Sequence, residues 1–205
     1  MGLAVIAAVA EVSAHRRDEY LQAARLAIAP DAVHLELDLT PGIDMADAVL
    51  ADIDRDRDGA LSLDERAAYG SLVLGALTLE ADGTLVQAAL NSVDFPDPEA
   101  MRRGEGAIRL QLSAPLPHRA TGPHRLLFRN HHHQDRGVYL ANALVPASNE
   151  VAITAQRRDT DQTELTIEYL LRAAPVQSRA PWLLGSLAAS IVLSALLMRS
   201  FRTLG

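Results

Sequence analysis

The 205-residue chain carries 26 acidic and 19 basic side chains, a net charge of −7, which argues against binding to a phosphate backbone, since that needs a basic face. Every one of those basic residues is arginine, which excludes Schiff-base and phosphate-cradling lysines, and the lack of cysteine excludes disulfides and thiolate chemistry. Hydrophobic residues make up 49% and aromatics only 4%, so the core must be aliphatic.

The chain starts with a short apolar run, Leu3 to Ala10, followed by Val12, Ser13 and Ala14. Residues of this kind suit a signal peptidase, and we expect residues 1–14 to be an export signal cleaved before His15. A buried first strand or helix is the alternative, since no charged segment precedes the run. From Tyr20 the pattern alternates. "VHLELDLT" sets Val33, Leu35, Leu37 and Leu39 on one face, with His34, Glu36, Asp38 and Thr40 on the other. That is the period of a half-buried strand, and Pro30-Asp31 joins it to "YLQAARLAI" as a hairpin.

The period then changes. "GIDMADAVLADI" places Ile43, Ala46, Val49, Leu50 and Ile53 on one helical stripe. "LDERAAYGSLVL" does the same more weakly, with Leu63, Ala67, Gly70 and Leu74. Between them lies "DRDRDGALSLDE", residues 54–65, five carboxylates around a glycine. Like charges at this spacing repel, and a bound cation would reverse that cost. Calcium takes six to eight hard oxygen ligands from a short loop that needs a glycine for its sharp turn. With Asp54 at position one, Asp56 falls at three, Asp58 at five and Gly59 at six. Ala60 at seven contributes a backbone carbonyl, Ser62 at nine a hydroxyl or a water, and Glu65 at twelve two oxygens. Leu61 should pack beneath the loop, while Arg55, Arg57 and Asp64 face solvent. A solvated charge run or an acidic helix cap would not require these offsets.

This segment resembles the EF-hand family over the whole loop and both flanking helices, residues 43–75. The resemblance implies calcium as the bound ion, with Asp54, Asp56, Asp58, Ala60, Ser62 and Glu65 as its ligands. A single copy, where EF-hands usually pair, favours a structural or extracellular site over an opening switch. Because its carboxylates lie outside the expected strands, the insert should loosen without calcium while the rest of the domain persists.

A second hairpin follows at "LTLEADGTLV", turning at Asp82-Gly83. Further strands are expected at residues 107–113, 124–130, 138–145, 150–156 and 163–171. The fold class is therefore α+β: an antiparallel β-sandwich over residues 15–172 with an inserted EF-hand helix-loop-helix, plus a C-terminal transmembrane helix. His131, His132 and His133 fall between two expected strands and read as a polar hairpin loop. Transient binding of nickel or copper is the alternative. His15 as a mature N-terminus would be a second candidate for copper, and His118 and His124 read as surface residues without partners.

Residues 173–180 form a short tether. Pro181 to Met198 then carries no charge over 18 residues. As a helix it would measure about 27 Å, close to the hydrocarbon thickness of a bilayer. Trp182 flanks one edge, and Arg199 and Arg202 follow the other, placing a tail at 199–205 in the cytoplasm and the domain outside the cell membrane.

The segments "AHRRDEYL", "LELDLTPG", "HRLLFRN" and "VYLANALVP" together resemble the exported module that precedes the membrane domain in HupE/UreJ-type nickel transporter proteins. With one span in place of a permease, the resemblance implies a soluble module on an anchor, and not transport itself. No Gly-x-Ser-x-Gly or His-Glu-x-x-His pattern occurs. The expected function is a non-catalytic, calcium-binding, membrane-anchored ectodomain with a transporter or other protein as partner and no role with nucleic acid. An accessory that handles nickel or a related metal is the alternative.

Overall fold

The computed structural model describes residues 18–117 and 119–173. The export signal, His15, His118, the span at 181–198, the tail at 199–205 and all but the first residue of the tether lie outside the described residues. No helix among the described residues is long and apolar enough to cross a membrane.

Two five-stranded sheets enclose one core, aliphatic in the main, with Tyr20, Tyr69, Phe128 and Tyr169 as its largest fully buried side chains. The first sheet contains β1 (Tyr20–Ile28), β2 (Ala32–Pro41), β5 (Ala89–Asp94), β6 (Ile108–Pro115) and β8 (Gly137–Ala143), in the order β5-β6-β2-β1-β8. The second contains β3 (Leu77–Ala81), β4 (Thr84–Leu85), β7 (Gly122–Asn130), β9 (Val151–Arg158) and β10 (Glu164–Leu171), in the order β4-β3-β7-β10-β9. Strict alternation in β1 and β10 sends every second side chain inward, so Leu26 and Ile28 of one sheet and Leu165 and Ile167 of the other belong to a single hydrophobic cluster. Both expected hairpins form, with Tyr20 opposite Pro41 in the first and Ala81 opposite Thr84 in the second.

The expectation of a wholly antiparallel sandwich fails at one strand. β8 runs parallel to β1, pairing Tyr20 with Gly137 and Leu26 with Ala143. Consequently β7 and β8 lie in different sheets, and the three histidines between them form a crossover and not a hairpin loop. β5 and the short helix α3 (Pro98–Arg102) escaped sequence reading. β5 has no clean alternation, because its pairing with β6 slips between Leu90 and Ser92.

Helices α1 (Ala46–Ile53) and α2 (Leu63–Gly75) carry the chain from β2 in one sheet to β3 in the other. On α1 the stripe holds for Ala46, Val49, Leu50 and Ile53, while Ile43 lies before the helix and is exposed. On α2 the inward face is Glu65, Tyr69, Gly70 and Val73, with Leu63 82% exposed and Ala67 also outside. Of the expected stripe Gly70 is buried and Leu74 is partly buried against the core, while a tyrosine and a glutamate, which an apolar count passes over, take the rest of the inward face. Val49, Leu50, Ile53, Leu61, Tyr69 and Val73 belong to the same cluster as the strands. Packing therefore makes the insert part of the domain core rather than a separable appendage.

Candidate metal centre

The loop is fixed at both ends by helix caps. The Asp54 N–H donates to the Leu50 carbonyl and closes α1. Ser62 opens α2 with a capping box: its Oγ accepts from the Glu65 N–H, and Glu65 Oε2 accepts from the Ser62 N–H at 2.9 Å. Between the caps the chain reverses at Arg57 (φ +62°) and Gly59 (φ +83°). A Cβ at residue 59 would meet nothing within 4 Å, so backbone conformation, and not space, is what calls for glycine.

The three alternating aspartates build the turn themselves. Gly59 N–H donates to Asp54 Oδ2 at 3.0 Å, Asp58 N–H to Asp56 Oδ1 at 3.1 Å, and Ala60 N–H to Asp58 Oδ1 at 2.8 Å. Each aspartate spends one oxygen on the backbone, and the three residues each offer an oxygen within 4.8 Å of the others. Among the described residues no other set of His, Cys, Asp or Glu brings three ligand atoms so close. Asp54 Oδ1 is buried with no hydrogen-bond partner, a costly state for a carboxylate oxygen. The Asp58 amide draws the Asp56 carboxyl down, but desolvation and the charges of Asp58, Glu65 and Asp54 outweigh it and leave its pKa raised. Arg55 and Arg57 are exposed, and Leu61 is buried beneath the loop, both as expected.

Glu65 is not one of the trio. It is 9% exposed and bridges the two ends of the loop. Oε1 accepts from Arg55 N–H at 2.7 Å and Asp56 N–H at 3.4 Å, and Oε2 also accepts from Ser62 Oγ at 2.7 Å. The Ser62 hydroxyl and amide, then the Arg55 and Asp56 amides, outweigh desolvation and hold its pKa down to about 2. Ser62 Oγ is engaged with Glu65 both as donor and as acceptor. Ala60, at the seventh position, is exposed.

The donor set of the aspartate trio can take a hard metal cation. It consists of hard carboxylate oxygens, one of them buried and unpartnered, in a loop with a left-handed glycine at the required offset. Asp54, Asp56 and Asp58 would hold the ion and Ala60 would add its carbonyl, whereas Ser62 Oγ and both Glu65 oxygens are committed to the caps, so Glu65 would close the shell only by releasing its Arg55, Asp56 and Ser62 donors. The bound charge would relieve the mutual repulsion of the aspartates.

The histidines among the described residues do not assemble into a comparable set. His131 is exposed, with Nδ1 beside Gln134 Nε2 at 3.0 Å. His132 is 3% exposed and lies within a buried polar network that sequence reading missed. Tyr69 on α2 joins Tyr20 on β1 (2.7 Å between hydroxyls) and His132 Nε2 (3.1 Å). Gln22 donates to the His132 carbonyl, Asn130 donates to Gln22, and Tyr139 donates to the same carbonyl. Burial first, then the charges of His133 and Arg136, push the His132 imidazole down to about 3. Its Nε2 is held in place by a tyrosine. A polar residue at an inward register of β1, Gln22, was the one available signal. His133 Nε2 stands 3.4 Å from Asp52 Oδ2 on α1. His124 is not partnerless either: Nδ1 contacts Asp82 Oδ2 and Nε2 the Ala120 carbonyl, each at 2.8 Å.

Comparison with family models, curated proteins and solved structures finds no match for the chain.

Proposed function

We propose that this protein is a calcium-binding, non-catalytic ectodomain held to the cell membrane by residues 181–198, serving structure, interaction or regulation of a membrane partner such as a transporter. The observation that carries the calcium reading is the aspartate trio, with oxygens within 4.8 Å and the buried Asp54 Oδ1 unpartnered. Glycine and glutamate sit at the offsets that an EF-hand-like loop requires. The anchor reading rests on the sequence of residues 181–198 and the arginines that follow.

The shared core bears on the role. Calcium at this loop would stabilise the whole domain by mass action, by about 2.7 kcal/mol at a hundred times the dissociation constant. The alternative, nickel handling, draws less support: His132 is buried against Tyr69 and the three histidines offer no common ligand set. Equilibrium dialysis of the full chain in detergent against calcium, magnesium and nickel separates the two readings. One equivalent of calcium retained over excess magnesium supports ours, and retention of nickel alone would replace it. Protease applied to intact cells should remove a tag at the domain end and spare one after Arg202. The opposite protection pattern would reverse the topology.

A further inference from the structure

An uncharged stretch runs from Gly137 to Asn149 in a chain that is 22% charged. It covers β8 and the loop after it, and it exposes apolar side chains throughout: Val138 and Leu140 on the strand, Leu144 at 38% and Val145 at 93%. On the outer face of the sheet, β1 extends the patch, since Leu21 pairs with Val138 and Ala23 with Leu140. Exposed patches of this kind mark contact with a partner or a membrane.

The backbone edge of β8 is already occupied at its C-terminal end, next to the loop. Arg158 Nε donates to the Ala141 carbonyl at 2.7 Å, and the Ala143 N–H donates to Gln156 Oε1 at 3.0 Å. A partner strand cannot add there, so what remains on offer is side-chain surface. The loop is also tied to the point where the described chain ends. Val151 pairs with Leu171, and the Arg172 N–H donates to the Glu150 carbonyl at 2.7 Å. Gly122 pairs with Leu171 at this end of β7, whereas Asn130 at the other end meets β3 and Gln22, beside α2. The loop thus shares its end of the domain with the chain exit, and the aspartate trio lies toward the other. From Ala173 to Pro181 a fully extended chain reaches at most about 29 Å.

We propose that the 144–149 loop is a membrane-contact surface, in which Leu144 and Val145 enter the headgroup–acyl boundary of the bilayer that residues 181–198 cross. This rests on the anchor reading above. The chain has no cysteine, so single-cysteine variants can be labelled cleanly. V145C, D161C in the exposed turn at the opposite end, and S194C within the apolar stretch would each carry an environment-sensitive fluorophore. The full chain is reconstituted in vesicles of phosphatidylcholine and phosphatidylglycerol with nitroxide-bearing lipids. The expected result is blue-shifted emission and shallow-nitroxide quenching at residue 145, several-fold stronger than at 161, with deep-nitroxide quenching at 194. Quenching at 194 with a fully aqueous label at 145 would overturn the inference and leave the anchor standing. No quenching at 194 would remove the anchor reading and the inference with it. A blue shift at 145 that grows with protein density but resists lipid quenching would assign the loop to a second copy of the chain, and would also overturn the proposal.

Discussion

Replacing Tyr69 with phenylalanine removes one oxygen from the junction between the metal loop and the sandwich. The ring stays, and with it the edge contact to Phe95 at 6.1 Å between centroids. What goes is the hydroxyl that serves Tyr20 and His132, both buried. Two hydrogen bonds at about 1 kcal/mol net each are lost, and a buried group left without a partner costs about 1–3 kcal/mol. Partial recovery is available if Tyr20 turns to His132, whose rings are 5.9 Å apart. The expected destabilisation is about 2–3 kcal/mol, or roughly 4–12 °C in Tm for a domain of this size. Tyr20→Phe should cost less, because Tyr69 still serves His132. Urea unfolding of the full chain in detergent with chelator, followed by circular dichroism at helix and sheet wavelengths, provides the assay. Because the helices share the core, both signals should fall in one transition that shifts as a unit. A loss below about 0.5 kcal/mol, or helix melting well ahead of sheet, would refute this integration and restore a separable insert.

Further outcomes follow from the same geometry. Glu65→Gln should weaken calcium binding more than any single Asp→Asn change, since it removes charge from the ligand expected to supply two oxygens; calorimetry on the five proteins would show equal losses if this is wrong. Gly59→Ala should cost about 1–2 kcal/mol from the left-handed backbone alone, read by thermal melting, with no steric contribution because the space around it is open. Acid should destabilise the domain in two windows. Burial lowers the folded pKa of His132 from 6.5 to about 3, so its stabilising contribution is full above pH 6.5 and declines as pH falls through that interval. Glu65, lowered from 4.5 to about 2, loses its contribution below pH 4.5 in the same direction. Imidazole proton shifts of His132 that titrate near pH 6.5 in the folded protein would contradict the first window.

Much of this fold is written in local patterns. The period-two alternation of 33–39 and the Asp82-Gly83 turn give their hairpins directly, because one strand face must be buried and one turn must accept positive φ. The loop spacing was equally legible, since Asx hydrogen bonds and capping act over two to five residues. What escaped depends on contacts distant in sequence. The parallel pairing of β8 with β1 leaves no local mark, and it alone turns the histidine stretch from a hairpin into a crossover that buries His132. Tyr69 falls outside the apolar stripe read on α2. Its burial makes sense only beside Tyr20, 49 residues earlier. The resting place of Glu65, bridging the loop ends as a cap, is likewise a matter of side-chain choice that spacing does not specify.

The central claim is that the aspartate trio is a calcium site. Isothermal titration of calcium into the full chain in detergent, beside Asp54→Asn, tests it most directly. Asp54 supplies both the buried unpartnered oxygen and the bond that fixes Gly59. One site per chain in the wild type, weakened about tenfold in Asp54→Asn, is the predicted result. No saturable heat up to several millimolar calcium, the weak end of the range for such loops at about 10⁻³ M, or undiminished binding in the variant, would contradict it.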